Sequence, residues 1–98
     1  MSEMTYSTRN IDLAAALITS GVPLSDVRSE DGLVCTFVFP EKHGPYVTAT
    51  AASLYAQGNL LVSGSDVARQ RRGLMIAARR ANDSYRRDRH AELERERA

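Results

Sequence analysis

The chain has 98 residues, 43% of them hydrophobic, and a formal net charge of +1, which suits one small domain and excludes a disordered chain. No apolar run approaches the roughly 20 residues that a membrane-spanning helix needs, and the first residues lack the basic and apolar stretches of a secretory signal. Cys35 is the only cysteine, so no intramolecular disulfide can form, as is usual in a reducing cell interior.

A short strand and a helix are predicted near the start of the chain. Residues 5–7 form the predicted strand, and Ser7 or Thr8 offers a side-chain oxygen that can cap a helix beginning near Arg9. Gly21 permits the left-handed conformation that ends a helix. Apolar residues at three- and four-residue spacing predict one buried face, made of Ile11, Ala14, Ala15, Leu17 and Ile18.

A β-hairpin is predicted next, from residues 24–29 and 33–39, because the second segment alternates and an Asp-Gly pair separates the two. A three-residue loop pairs Val27 with Cys35, whereas a two-residue turn places Asp26 opposite the apolar face. We favour the three-residue loop because it keeps charges off that face. The inward face is predicted to contain Leu33, Cys35, Phe37 and Phe39.

A second helix is predicted from Pro45 to about Gly58, after a surface loop at residues 41–44. Several of its residues are β-branched, so we expect this helix to depend on packing more than on intrinsic propensity. Residues 59–62 are predicted to be a short extended segment, and residues 63–65 are predicted to cap a last helix. The apolar stripe of the second helix is predicted to be Val47, Ala51, Leu54 and Tyr55.

The last predicted helix, residues 66–97, contains most of the basic side chains. Residues 1–66 carry a net charge of −4, residues 67–90 carry +6, and residues 91–98 carry −1. Such an uneven distribution indicates a negatively charged partner. At 100° per residue, one side of the helix is apolar and is predicted to dock on the body through Val67, Leu74, Ala78, Ala81 and Tyr85.

The opposite side of the last helix is the candidate binding site. Guanidinium groups bind phosphate in bidentate fashion, and a basic stripe along a helix is typical of nucleic-acid binding. The alternative is a solvated face on which Asp83, four residues from both Arg79 and Arg87, neutralises part of the charge. The predicted site residues are Arg69, Arg72, Ile76, Arg79, Arg80, Arg86 and Arg87.

Part of the chain, about residues 5–81, resembles a known family of small proteins. The resemblance lies in the series Tyr6-x-Thr8, Ile11-x-Leu13-Ala14-Ala15-x-Leu17, Gly21, Phe37-x-Phe39 and Tyr55-x-x-Gly58-x-Leu60-x-Val62. The family is a domain of unknown function found mostly in phages, prophages and other mobile elements. The resemblance implies an α+β domain and a phage setting, in the cytoplasm of a host cell or in a virion. It brings no catalytic residue to this chain.

Other features of the sequence favour structural roles. Residues 17–27 approach the spacing of a helix-turn-helix motif, but the predicted hairpin explains them better. Residues 63–65 resemble an anion-binding turn, although Asp66 occupies the place of the anion and a simple cap is the better account. His43 and His90 have no partner at metal-ligand spacing. We therefore expect no enzymatic activity, no metal and no cofactor.

The sequence as a whole predicts a small α+β domain of order (β)-α-β-β-α-(β)-α with a long charged C-terminal helix. Residues 1–85 are predicted to form the compact domain, and residues 86–98 a charged helical extension. The leading hypothesis is a non-enzymatic phage or mobile-element accessory protein that binds nucleic acid through this helix. The alternative is a protein-interaction or assembly module (a virion component, an oligomer subunit or an inhibitor of a host protein), in which Ile76 and Leu93 are packing anchors. Neither hypothesis involves a membrane or a small-molecule substrate.

Overall fold

A computed structural model describes residues 5–43, 46–58, 60 and 62–97. It confirms the α+β class and the long C-terminal helix. The elements in chain order are β1 (Thr5–Thr8), α1 (Ile11–Thr19), β2 (Asp26–Ser29), β3 (Cys35–Pro40), β4 (Lys42–His43), β5 (Tyr46–Val47), α2 (Thr48–Ala56) and α3 (Gly64–Arg97).

The main sheet has three antiparallel strands in the order β1-β3-β2, so β3 is central. Helices α1 and α3 cover the face of β3 that carries its aromatic residues, and the predicted inward positions Cys35, Phe37 and Phe39 are buried there. Leu74 of α3 completes this cluster, together with Ala14, Ala15, Leu17 and Val22. Among the described residues, no helix combines the length and apolar character needed to cross a bilayer.

The hairpin between β2 and β3 has a wider loop than predicted. Val27 pairs with Phe37 and Ser29 with Cys35, so the predicted pairing of Val27 with Cys35 is wrong by two residues, although an even shift keeps Val27 on the same face. The Asp31 carboxylate accepts hydrogen bonds from the amides at positions 33 and 34 (2.8 and 2.9 Å), which organises a five-residue loop. Leu33 therefore lies outside the strand and is 76% exposed, contrary to prediction.

Helix α1 begins at Ile11, and its cap is Asn10 rather than Ser7 or Thr8, which both belong to β1. The Asn10 side-chain oxygen accepts hydrogen bonds from the amides at positions 12 and 13 (3.0 and 3.2 Å). The strand extends one residue further than predicted, which moves the cap along the chain. Gly21 has a φ of 107°, which confirms the left-handed stop.

Helix α2 begins at Thr48, because Lys42–His43 and Tyr46–Val47 pair as two short antiparallel strands. Residues 42–43, predicted as part of a loop, thus form a strand. Gly44 and the predicted first helical residue, Pro45, lie outside the described residues. The Thr48 hydroxyl donates to the Pro40 carbonyl and its amide to the Glu41 carbonyl, which fixes the orientation of the helix.

The face of α2 that is buried in this orientation differs from the predicted apolar stripe. Thr48 and Ala52 are buried, Ala51 packs against the core, and Leu54 is 38% exposed. Of the predicted extended segment at 59–62, positions 59 and 61 lie outside the described residues. Leu60 and Val62 belong to no strand.

Candidate functional site

Helix α3 is the longest element of the protein, with 34 residues and a length of about 51 Å. It begins two residues earlier than predicted, and the Val67 amide donates to the Ser63 carbonyl in its first turn (3.0 Å). Its docking side is as predicted: Leu74 is buried and the other positions are partly buried, namely Val67, Ala78, Ala81 and Tyr85. Every residue from 86 to 97 is exposed.

A hydrogen-bond network around Asn82 fixes α3 against the β2–β3 hairpin. The Ser29 hydroxyl donates to Asn82 Oδ1 (2.6 Å), and Asn82 Nδ2 donates to the Leu33 carbonyl (3.3 Å). The Cys35 thiol lies 3.3 Å from the Ala78 carbonyl oxygen and 3.4 Å from Asn82 Oδ1. Burial raises the pKa of Cys35, which keeps the thiol protonated as a donor. The network sets the rotation of α3 about its axis, and therefore which side chains face solvent.

Arg71 makes a second connection between α3 and the body. Its Nε donates to Asp12 Oδ1 at 2.8 Å, where Asp12 lies in the first turn of α1. This arginine therefore holds the helix against α1, although its side chain is 45% exposed. The arginines predicted as site residues are exposed as well.

Two of the six predicted site arginines differ in their surroundings from the other four. Arg69 lies 4.0 Å from Asp66, and Arg86 is paired with Asp83. Arg86 was predicted to lie on the far side of α3, but it lies at the edge of that side. Its aliphatic carbons contact the β2–β3 loop, because a Cβ added to Gly32 would be only 2.8 Å from Arg86 Cγ.

The other four arginines, with Ile76, form what we call the arginine face of α3. Within the described parts of the chain, none of these arginines makes an ion pair with a carboxylate. Asp83, which the alternative of a solvated face pairs with Arg79 and Arg87, binds Arg86 instead. At 100° per residue the face spans an arc of about 100° with Ile76 at its centre. Its arginines are Arg72, Arg79, Arg80 and Arg87.

Two shallow grooves border the arginine face. The first, of about 380 Å³, is lined by Arg72, Met75, Ile76, Arg79, Arg80 and Asp83. The second, of about 320 Å³, lies between α3, α1 and the β2–β3 loop and includes Leu33, Ile11 and Asn82. Met75 and Arg79 line both grooves, so the two lie side by side. The sequence pattern indicated Ile76 as a surface residue of the site but did not indicate Leu33 or Met75.

The structure gives no support to a helix-turn-helix motif or to a metal site among the described residues. Residues 26–29 form a strand, which leaves no recognition helix for a helix-turn-helix motif. His90 lies 3.0 Å from Glu94 on the exposed end of α3, and Arg89 lies 3.4 Å from Glu92. In the described portion of the chain, no three histidine, cysteine or carboxylate side chains are placed to hold a metal ion.

Comparisons with protein-family models, with curated proteins and with solved structures found no match to this chain. The resemblance to a phage family therefore stays a prediction.

Proposed function

We propose that the protein is a non-enzymatic phage or mobile-element accessory protein that binds the phosphate backbone of nucleic acid through the arginine face. The observation that carries this proposal is the absence of carboxylate partners for Arg72, Arg79, Arg80 and Arg87 among the described residues. Unpaired guanidinium groups keep their donors free for phosphate oxygens, which they bind in a fork geometry. The phage setting is supported by the sequence resemblance.

The spacing of the four arginines suits an extended polyanion. Arg72 and Arg79 are seven residues apart, as are Arg80 and Arg87, so each pair is separated by two turns or about 10.5 Å. The face extends over about 22 Å between its first and last arginine. A ligand that satisfies all four must carry several negative charges along a line, as a nucleic-acid strand does.

Three acidic residues of the body are paired with arginines, which reduces their repulsion of such a ligand. Asp12 is paired with Arg71, Asp26 with Arg28, and Glu30 with Arg9. The pairs of Asp26 and Glu30 are already counted in the net charge of the body, whereas the Asp12 pair offsets one further acidic charge with an arginine that lies outside the arginine face.

A binding assay with a charge-matched control tests the proposal. Fluorescence anisotropy with labelled DNA at low salt would compare the unaltered protein with the triple variant Arg72→Ala, Arg79→Ala and Arg80→Ala. We expect this variant to lose nearly all binding.

The control removes the same three charges elsewhere, through Arg9→Ala, Arg28→Ala and Arg95→Ala, and should keep most of the affinity. Equal losses in the two variants would show that only net charge matters, and no binding by the unaltered protein would reject the proposal.

The alternative, a protein-interaction module, is favoured by the exposure of Ile76 (56%) and Leu93 (40%). In that case the protein forms an assembly that survives moderate salt and fails on Ile76→Asp, because apolar contacts are not screened by ions. Light scattering of the unaltered protein and of the Ile76→Asp variant, from low to moderate salt, distinguishes the two functions.

A further inference from the structure

An exposed apolar strip, made of Leu33, Met75 and Ile76, reaches into the arginine face, because Ile76 belongs to both. Leu33 and Ile76 are largely exposed, and Met75 is 48% exposed. Met75 lines both grooves, Leu33 lines one and Ile76 the other. The strip therefore runs from the β2–β3 loop to the centre of the arginine face. Neighbouring apolar side chains at a protein surface can form a binding site.

We infer that the apolar strip receives unpaired nucleobases, so that the protein prefers single-stranded to double-stranded nucleic acid. This inference rests on the nucleic-acid function proposed above. The charges beside the strip identify the occupant, because Arg72, Arg79 and Arg80 line the same groove as Ile76. The ligand must present apolar surface and regularly spaced anions together, and a single strand does both.

Base pairing removes the surface that the strip would bind. In a duplex the apolar faces of the bases are stacked on one another and only their edges are reached from the grooves. In a single strand the bases can turn outward and lie against protein side chains while the phosphates remain accessible. A duplex can thus occupy the arginines but cannot cover the strip.

The side chains of the strip suit flat aromatic ligands. The Met75 thioether makes favourable contacts with aromatic rings, and the Arg79 guanidinium, which lines both grooves, offers a planar cation for stacking. Leu33 and Ile76 release water when a base covers them. These contacts do not depend on base identity, so we expect little sequence preference.

Electrostatics alone makes the opposite prediction. Duplex DNA has the higher charge density, and each phosphate that a protein neutralises contributes more to the salt dependence on a duplex than on a single strand. Four arginines without the strip would therefore favour the duplex. A preference for the single strand reports the apolar contacts specifically.

The test is a comparison of one labelled strand of about 15 nucleotides, which exceeds the length of the arginine face at 3.4 Å per base, with the duplex formed from it. We expect the single strand to bind about tenfold more tightly. The variant Leu33→Ser and Met75→Gln, which leaves the arginine face itself unaltered, should lose most of this preference while its affinity for the duplex changes less than about twofold. Both positions are exposed, so the variant should fold, which circular dichroism checks.

The control variant Leu54→Gln and Leu93→Gln removes exposed apolar side chains outside both grooves and should keep the single-strand preference. Equal affinity for both ligands, or a preference that survives the strip variant, would overturn the inference and leave the proposed function intact. No binding to either ligand would overturn the proposed function and the inference with it.

Discussion

Arg86 donates a hydrogen bond to Asp83, three residues earlier on α3, and this pair determines the charge of the exposed side of the helix. Asp83 has arginines four residues away in both directions, yet it binds the one that also contacts Gly32 of the β2–β3 loop. The loop holds Arg86 at the edge of the arginine face, and from there Arg86 neutralises Asp83, which lies within the face between Arg79 and Arg87. Arg79 and Arg87 are left available for a ligand.

Replacing Asp83 should strengthen nucleic-acid binding. Asp83→Asn removes the acidic group that lines the groove beside Arg79 and Arg80, and we expect affinity to rise about threefold at low salt. Stability should change by less than about 1 kcal/mol because the pair is exposed. Anisotropy and thermal unfolding measure the two effects.

The control for this substitution is Asp88→Asn, which makes the same charge change on an exposed residue outside both grooves. An equal gain in affinity for both variants would contradict a specific role of Asp83.

Two glycine substitutions should have opposite effects on stability. Gly32 has a φ of 79° and its missing Cβ would collide with Arg86, so Gly32→Ala should reduce the free energy of unfolding by about 1–2 kcal/mol. Gly73 lies within α3 with nothing near its missing Cβ, so Gly73→Ala should raise it by up to about 1 kcal/mol. Urea unfolding of both variants checks this, and a stable Gly32→Ala would show that the loop does not contact α3 as described.

Asn82 should contribute to stability although it is polar. Its side chain bonds both Ser29 and the Leu33 carbonyl, so Asn82→Ala should cost about 1–2 kcal/mol of unfolding free energy. Ser84→Ala, at an exposed position two residues away, should be nearly neutral. Chemical denaturation of the two variants would give similar midpoints if the network did not hold α3 against the hairpin.

The Asp31 carboxylate should make stability depend on pH in the acid range. Hydrogen bonds from the amides of Val34 and Leu33 hold its pKa below the ordinary value of 3.8. The contribution of the ionised Asp31 carboxylate to the free energy of unfolding is therefore fully present above pH 3.8. It is lost as the pH falls through the lower pKa of the folded state. Melting temperatures of the unaltered protein and of Asp31→Asn should converge as the pH is lowered through this range. A constant difference would contradict the assignment.

Periodicity was sufficient to predict the class of the fold and the faces of its two main helices. The burial of Leu17, Leu74 and the inward residues of β3 follows from spacing alone, because a residue's place in a helix or strand decides its direction. The docking side of α3 was predicted for the same reason.

What the sequence could not provide depends on side chains from distant segments. The observed hairpin register differs from the predicted one because the Asp31 carboxylate accepts hydrogen bonds from two amides that a tighter turn would have placed in a strand. In the helix pattern Asn82 is an ordinary polar residue. Its structural role depends on the hydrogen bond to the Leu33 carbonyl of the β2–β3 loop, which the sequence does not show. The choice of Asp83 between three arginines likewise depends on where the loop places Arg86.

The salt dependence of duplex DNA binding tests the central claim most directly. If Arg72, Arg79, Arg80 and Arg87 each neutralise one phosphate, a plot of log K against log salt should have a slope of about −3.6, and each arginine replaced by alanine should reduce its magnitude by about 0.9. Replacing all four should leave a nearly flat line. A slope that these substitutions do not change, or no binding at low salt, would contradict the claim that the arginine face is a nucleic-acid surface.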